Sequence, residues 1–169
     1  MRRSRWLAGL PVLLALGACG TTPAPAQQTG NTQVSATDVA ARPGHPVPAW
    51  AVRRLTAMAD HIVKADGDHP VQWAAAVVTT HVLAMRAVTP GDSEPADPNP
   101  VAFVLVIKGH FVCNTCSIPA GAHAPTGTYA AFDYTGSNFH GESDGSLSNR
   151  PPAIPLSELG PVTYLHVHP

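Results

Sequence analysis

Charge is scarce in this chain. Only 12% of its 169 residues are Asp, Glu, Lys or Arg, and lysine occurs just twice. A nucleic-acid surface is built from clustered Lys and Arg, and no such cluster is present, which excludes that class of partner. The apolar run at the start, Trp6 to Leu16, stops well short of the roughly 18 residues that cross a bilayer. No serine nucleophile elbow is assigned, because the Gly-x-Ser-x-Gly run from Gly141 to Gly145 leads into no helical pattern. The glycines of residues 121 to 145 lead into no helix, so a phosphate-cradling loop is absent too. There is no internal repeat. Cysteine occurs only three times, at Cys19, Cys113 and Cys116, and each of the three carries an argument.

The first cysteine closes a short export-type segment. Arg2, Arg3 and Arg5 precede the apolar run, and Leu16-Gly17-Ala18-Cys19 follows it. In order and spacing this resembles the signal peptide and lipobox of bacterial lipoproteins. The resemblance implies cleavage after Ala18, diacylglycerol on Cys19, and attachment to the outer face of the cytoplasmic membrane. Loss of residues 1–18 removes three arginines, leaving seven basic residues against the eleven acidic ones. Residues 19 to 47 then read as the lipidated end and a disordered tether. They are small, polar and punctuated by proline, with little to offset their own ordering entropy.

Residues 48–169 read as one domain. Over Pro48 to Asp66, Leu55, Met58, Ala59, Ile62 and Val63 recur at helical spacing, with Pro48 suited to the first turn and Gly67 to the stop. Residues 71–89 are mixed. Alanines favour helix, but the β-branched run from Val77 to Val82 favours strand, and a single long strand is expected. Residues 89–100 are a proline- and aspartate-rich loop. Residues 101–112 make the strongest strand, apolar on both faces as a central strand should be. Further strands are expected at 128–136 and 162–167, with a short hairpin return after 136 and one helical turn at 157–159. The predicted fold class is α+β: two layers, with one amphipathic helix packed across an antiparallel sheet of about four strands. In element order this resembles the PepSY-like and cystatin-like modules.

The pair Cys113 and Cys116 lies in "GHFVCNTCSIPAGAH". Outside the membrane thiols oxidise, and residues three apart in a tight turn come within disulfide reach, so an inert structural disulfide is expected. A redox thiolate would want the N-terminus of a following helix, which two prolines and two glycines prevent. Metal binding is the alternative. His110, Cys113, Cys116 and His123 are zinc-type donors, and His166 with His168 are spaced i, i+2 near the end.

Three other sets bear on chemistry. His140, Glu142 and Asp144 alternate along a glycine-flanked turn and read as an exposed polar edge. Ser137, Ser143 and Ser146 have no assignable base. His81, between apolar residues, reads as a half-buried, hydrogen-bonded histidine. The expected function is therefore a non-enzymatic cell-envelope lipoprotein, tethered through lipid and binding a protein, peptide or small ligand. No cofactor is called for. A metal-binding envelope protein and a thiol–disulfide oxidoreductase stand behind it.

Overall fold

A computed structural model describes residues 40–168 except 68, 69, 94, 99, 115, 137, 138 and 140–142. The signal segment, Cys19 and the tether as far as residue 39 lie outside the described residues, as do Ser137, His140 and Glu142.

The fold is α+β. In chain order it runs α1 (Ala49–Asp66), β1 (Trp73–Thr80), α2 (His81–Val88), β2 (Val101–Val112), β3 (Thr126–Thr135), β4 (Ser143–Ser148), α3 (Leu156–Leu159) and β5 (Thr163–Leu165). The five strands form one antiparallel sheet in the order β4-β3-β2-β1-β5. β2 is the central strand expected from its two apolar faces, and six consecutive residues, 102–107, are buried.

The strand period of two sorts side chains between two cores. Ala74, Ala76 and Val78 of β1, with Phe103, Leu105 and Ile107 of β2, face α1. The helix meets them with Ala51, Leu55, Ala59 and Val63, one residue per turn, which gives a narrow stripe of small and branched side chains. Alanines on both partners let the helix lie close to the sheet. On the opposite face Val77, Ala102, Val104, Val106 and Ala131 pack against Ala84, Ala87 and Val88 of α2 and Leu159 of α3.

Two expectations are corrected here. Residues 71–89 are not one strand: the backbone leaves the sheet after Thr80 and turns into α2. The β-branched run ends there. From His81 onward His81, Ala84, Met85 and Val88 fall at i, i+3, i+4 and i+7 and are buried. The first-turn N–H groups of His81 and Val82 donate to the carbonyls of Pro100 and Pro98, so the proline-rich loop completes the helix start. As a result the domain has three layers, with helices on both faces of five strands, in place of one helix across about four. The second correction concerns the tether. Residues 41–47 pack on the domain: Val47 is buried, Ala41 lies against the α1 core, and the Gly44 N–H donates to the Val78 carbonyl at 3.2 Å.

Between Lys108 and Phe111 the register of β2 on β3 shifts, with three steps on β2 opposing two on β3. This bulge leads directly into the cysteine turn. Gly145 on β4 faces Phe132, and a Cβ there would stand 2.6 Å from the phenyl ring, so only glycine lets the ring cross β4.

Candidate functional site

The cysteine turn is a staple in its geometry. Cys113 and Cys116 are joined as a disulfide, their Cα atoms 5.5 Å apart. Cys113 N–H donates to the Pro125 carbonyl, closing the loop behind the pair. Between the cysteines, Asn114 reaches the C-terminal end of α1: its backbone N–H donates to Asp66 Oδ1 and its Nδ2 to the Ala65 carbonyl, both at 2.9 Å. The turn thus supplies a donor to a helix-end carbonyl that would otherwise lack a partner. Residues 117–125 form loop and turn with no helix, so nothing there provides the dipole that activates a thiolate.

The donors of the metal alternative are scattered. Both cysteine sulfurs are spent in the disulfide. His110 is exposed on β2 and His123 is exposed in the loop. His166 and His168 are exposed past the end of β5, where the His168 backbone N–H donates to Asp60 Oδ1 at 2.8 Å and ties the tail to α1. Among the described residues no three His, Cys, Asp or Glu side chains gather as a metal site.

Three of the surface grooves among the described residues are large enough to hold a small molecule. One, about 440 Å³, lies between α1 and the β3 end, beside Arg54, His61, Tyr134 and Phe139. Its Arg54 guanidinium is already placed over the Phe139 ring, 5.7 Å from the centroid. A second, about 370 Å³, lies beside the disulfide and has Asp66 as its charged residue. The third, on the α2 face, is better built. It measures about 480 Å³ and is bounded by the end of α2, by β3 and β4, and by the segment 150–153.

This cleft has a fixed frame. Ser146 Oγ donates to the Val88 carbonyl at 2.8 Å, joining β4 to α2. The Ala153 N–H donates to the Ala87 carbonyl at 3.0 Å, joining the far wall to the same helix end. Pro151 and Pro152 stiffen that wall. Its floor is Ala131 and the ring of Tyr129, and its hydroxyls are Ser146, Ser148 and Thr89. Arg150 is its sole charged lining residue among the described residues. That guanidinium is exposed and has no carboxylate partner among the described residues. Beyond the floor, Lys108 Nζ stands 5.5 Å from the Tyr129 ring centroid and Trp73 meets the same ring edge-on at 6.3 Å. Tyr129 is therefore a held platform, with Lys108 over its ring and Arg150 lining the same cleft.

Further along the same face lies a buried polar pair. His81 Nε2 and Asp133 Oδ2 are 3.7 Å apart, with side chains 5% and 0% exposed. Neither atom has a hydrogen-bond partner among the described residues. Asp133 Oδ1 accepts the Asp144 backbone N–H at 3.1 Å. Burial, more than any other influence, pushes the Asp133 carboxyl up from 3.8 to about 6. His81 is thus more deeply buried than the sequence suggested, and its Nε2 is not hydrogen-bonded. Ser146, one of the three serines weighed above, is occupied by Val88 and has no base beside it in the bonds it makes.

Sequence reasoning missed the cleft and the pair for one reason: both depend on α2, which it read as strand. Thr80, a residue type favoured before a helix, followed by Leu83, Ala84, Met85, Arg86 and Ala87, was the signal available. No family model, curated protein or solved structure matches the chain.

Proposed function

We propose that this chain is a lipid-anchored extracytoplasmic binding protein, and that its domain takes a small organic anion with a flat apolar body into the α2-face cleft. The observation that carries the ligand class is the pairing of the Tyr129 platform with Arg150, in a cleft with no acidic side chain among its described lining residues. A volume of about 480 Å³ suits a small molecule. A carboxylate would meet Arg150 and the Ser148 hydroxyl, and a ring would lie on Tyr129. Anchoring rests on Cys19 and the basic, apolar, small-residue order before it. No helix among the described residues is long and apolar enough to cross a membrane. In this reading acyl chains on Cys19 hold the protein there. The domain, in this reading, acts by binding.

Two measurements test this reading. The full chain is titrated calorimetrically with aromatic carboxylates and with their neutral amides. Carboxylates should bind, amides should not, and Arg150→Gln should weaken carboxylate binding about tenfold or more. Equal binding of acid and amide, or of parent and Arg150→Gln, sinks the ligand class. Membrane fractionation in a host that processes lipoproteins tests the anchor: Cys19→Ser should leave the membrane fraction, and its retention there would refute lipidation.

A further inference from the structure

Asp133 sits where both walls of the cleft dock. It is two residues along β3 from Ala131, on the cleft floor. Its Oδ1 holds β4 through the Asp144 N–H, and its Oδ2 faces His81, the first residue of α2. The same β4 goes on to supply Ser146 and Ser148 to the cleft, and the same α2 ends at Ala87 and Val88. One carboxylate therefore lies at the root of two elements that are also joined across the cleft by the Ser146–Val88 hydrogen bond and the Ala153 strap.

The two orphaned atoms of the pair suit each other. A separation of 3.7 Å is too wide for a hydrogen bond and too narrow for an intervening water, which needs about 5 Å between its partners. A movement of under about 1 Å closes it directly. We propose that His81 and Asp133 form a proton-operated clasp: a proton held between them seats α2 and β4 on β3 and keeps the cleft in its binding shape, and loss of that proton loosens both walls.

The charge balance gives the direction. With one proton taken from solvent, the pair is neutral overall, either as imidazole and carboxylic acid or as imidazolium and carboxylate. Without it, a buried carboxylate is left facing the like charge of Asp144. Burial is the main cause of the raised carboxyl at about 6; Asp144 adds to it, while the Asp144 N–H and His81 oppose it. Between the ordinary value of 3.8 and about 6 the folded chain keeps a proton that the unfolded chain has released. Stability from the clasp is therefore greatest on the acid side and is lost as pH rises toward and through about 6.

The surroundings leave few competitors. The β2 partner of Asp133 is Val104, and Lys108 lies farther along β2 at the Tyr129 rung. Thr79 and Thr135 are buried neighbours in the sheet that do not titrate in this range. Arg86 of α2, Asp92 and Asp97 of the following loop, and Glu158 of α3 are exposed. Tyr134 belongs to the α1 core, and its phenol, pushed up to about 12 mainly by burial, stays neutral.

The clasp rests on the cleft reading for its purpose, but its test uses no ligand, so failure of one is distinguishable from failure of the other. In the full chain, the Asp133 carboxyl carbon shift is followed through pH, beside amide exchange of α2, β4 and α1. Asp133 should titrate near 6. Protection of α2 and β4 amides, corrected for intrinsic exchange, should fall about tenfold from about pH 5 to about pH 7.5, with α1 unchanged. Asp133→Asn, which keeps the shape and cannot ionise, should remove that pH dependence. If the variant does not fold, the carbon titration and the parent's exchange still decide. Titration at an ordinary carboxylate value, or equal loss of protection in α1, overturns the clasp.

Discussion

The two faces of the sheet are built from the same strands and differ in almost everything else. The α1 face is dry: Phe103, Leu105, Ile107 and Phe111 are wholly buried under one long helix, with Trp50 and Phe139 packed edge-on or tilted against Phe103. The α2 face is covered by eight helical residues and a four-residue turn, over smaller side chains, and it includes Asp133 and His81 among its buried groups. A face with a long aliphatic stripe gains stability from area buried. A face with a short cover and an imperfectly paired polar couple gains less, and it leaves an open cleft at its edge. Stability belongs to the first face and the proposed chemistry to the second.

That division is broken most directly by Phe103→Ala. Deleting one of the two wholly buried phenylalanines of the α1 face should cost about 3–5 kcal/mol, equally across pH 4.5 to 7.5, leaving the pH profile unchanged. Denaturant unfolding measures it, and a loss under about 1 kcal/mol would mean that the α1 core is not the main source of stability. Next in size is the pH step on the opposite face. The rise of Asp133 from 3.8 to about 6 corresponds to something on the order of 3 kcal/mol of stability. It should be lost as pH rises across that interval in the parent, and the step should be missing in Asp133→Asn. Smaller again is the staple. The double change Cys113→Ser with Cys116→Ser should cost roughly 2 kcal/mol on the chain-entropy model, through loosening of the turn that completes the α1 end at Ala65 and Asp66. Intact mass with and without reductant, followed by alkylation, reports the bond itself. Two free thiols before reduction would return those residues to the metal alternative.

How much of this was legible in the sequence follows the same division. The α1 face was readable because its signals are strong and local: Leu55, Ala59 and Val63 keep the helical period over about two and a half turns, and residues 101–112 are apolar on both sides. The disulfide was readable because its spacing and geometry involve only four residues. The α2 face was not. Val77 to Val82 favours strand by side-chain branching, yet the chain turns at Thr80, because two proline carbonyls of a loop 18 to 20 residues away accept the first helical N–H groups. That tertiary supply of acceptors overrides propensity. Asp133 carried no local mark either: "AFDYT" reads simply as part of a strand, and only the arrival of α2 and β4 buries its single acid. The boundary of the tether was misjudged for a related reason, since Ala41 and Val47 have partners only once α1 and the sheet are in place.

The most direct test of the division between the faces is an amide-shift map of the full chain titrated with an aromatic carboxylate at about pH 5, where the clasp holds its proton. The expected result is saturable shifts confined to Ala87–Thr89, Tyr129 and residues 146–153, which line the α2-face cleft. Shifts centred on Arg54, His61 and Phe139 in the α1-face groove, or no saturable shift at all, would contradict it.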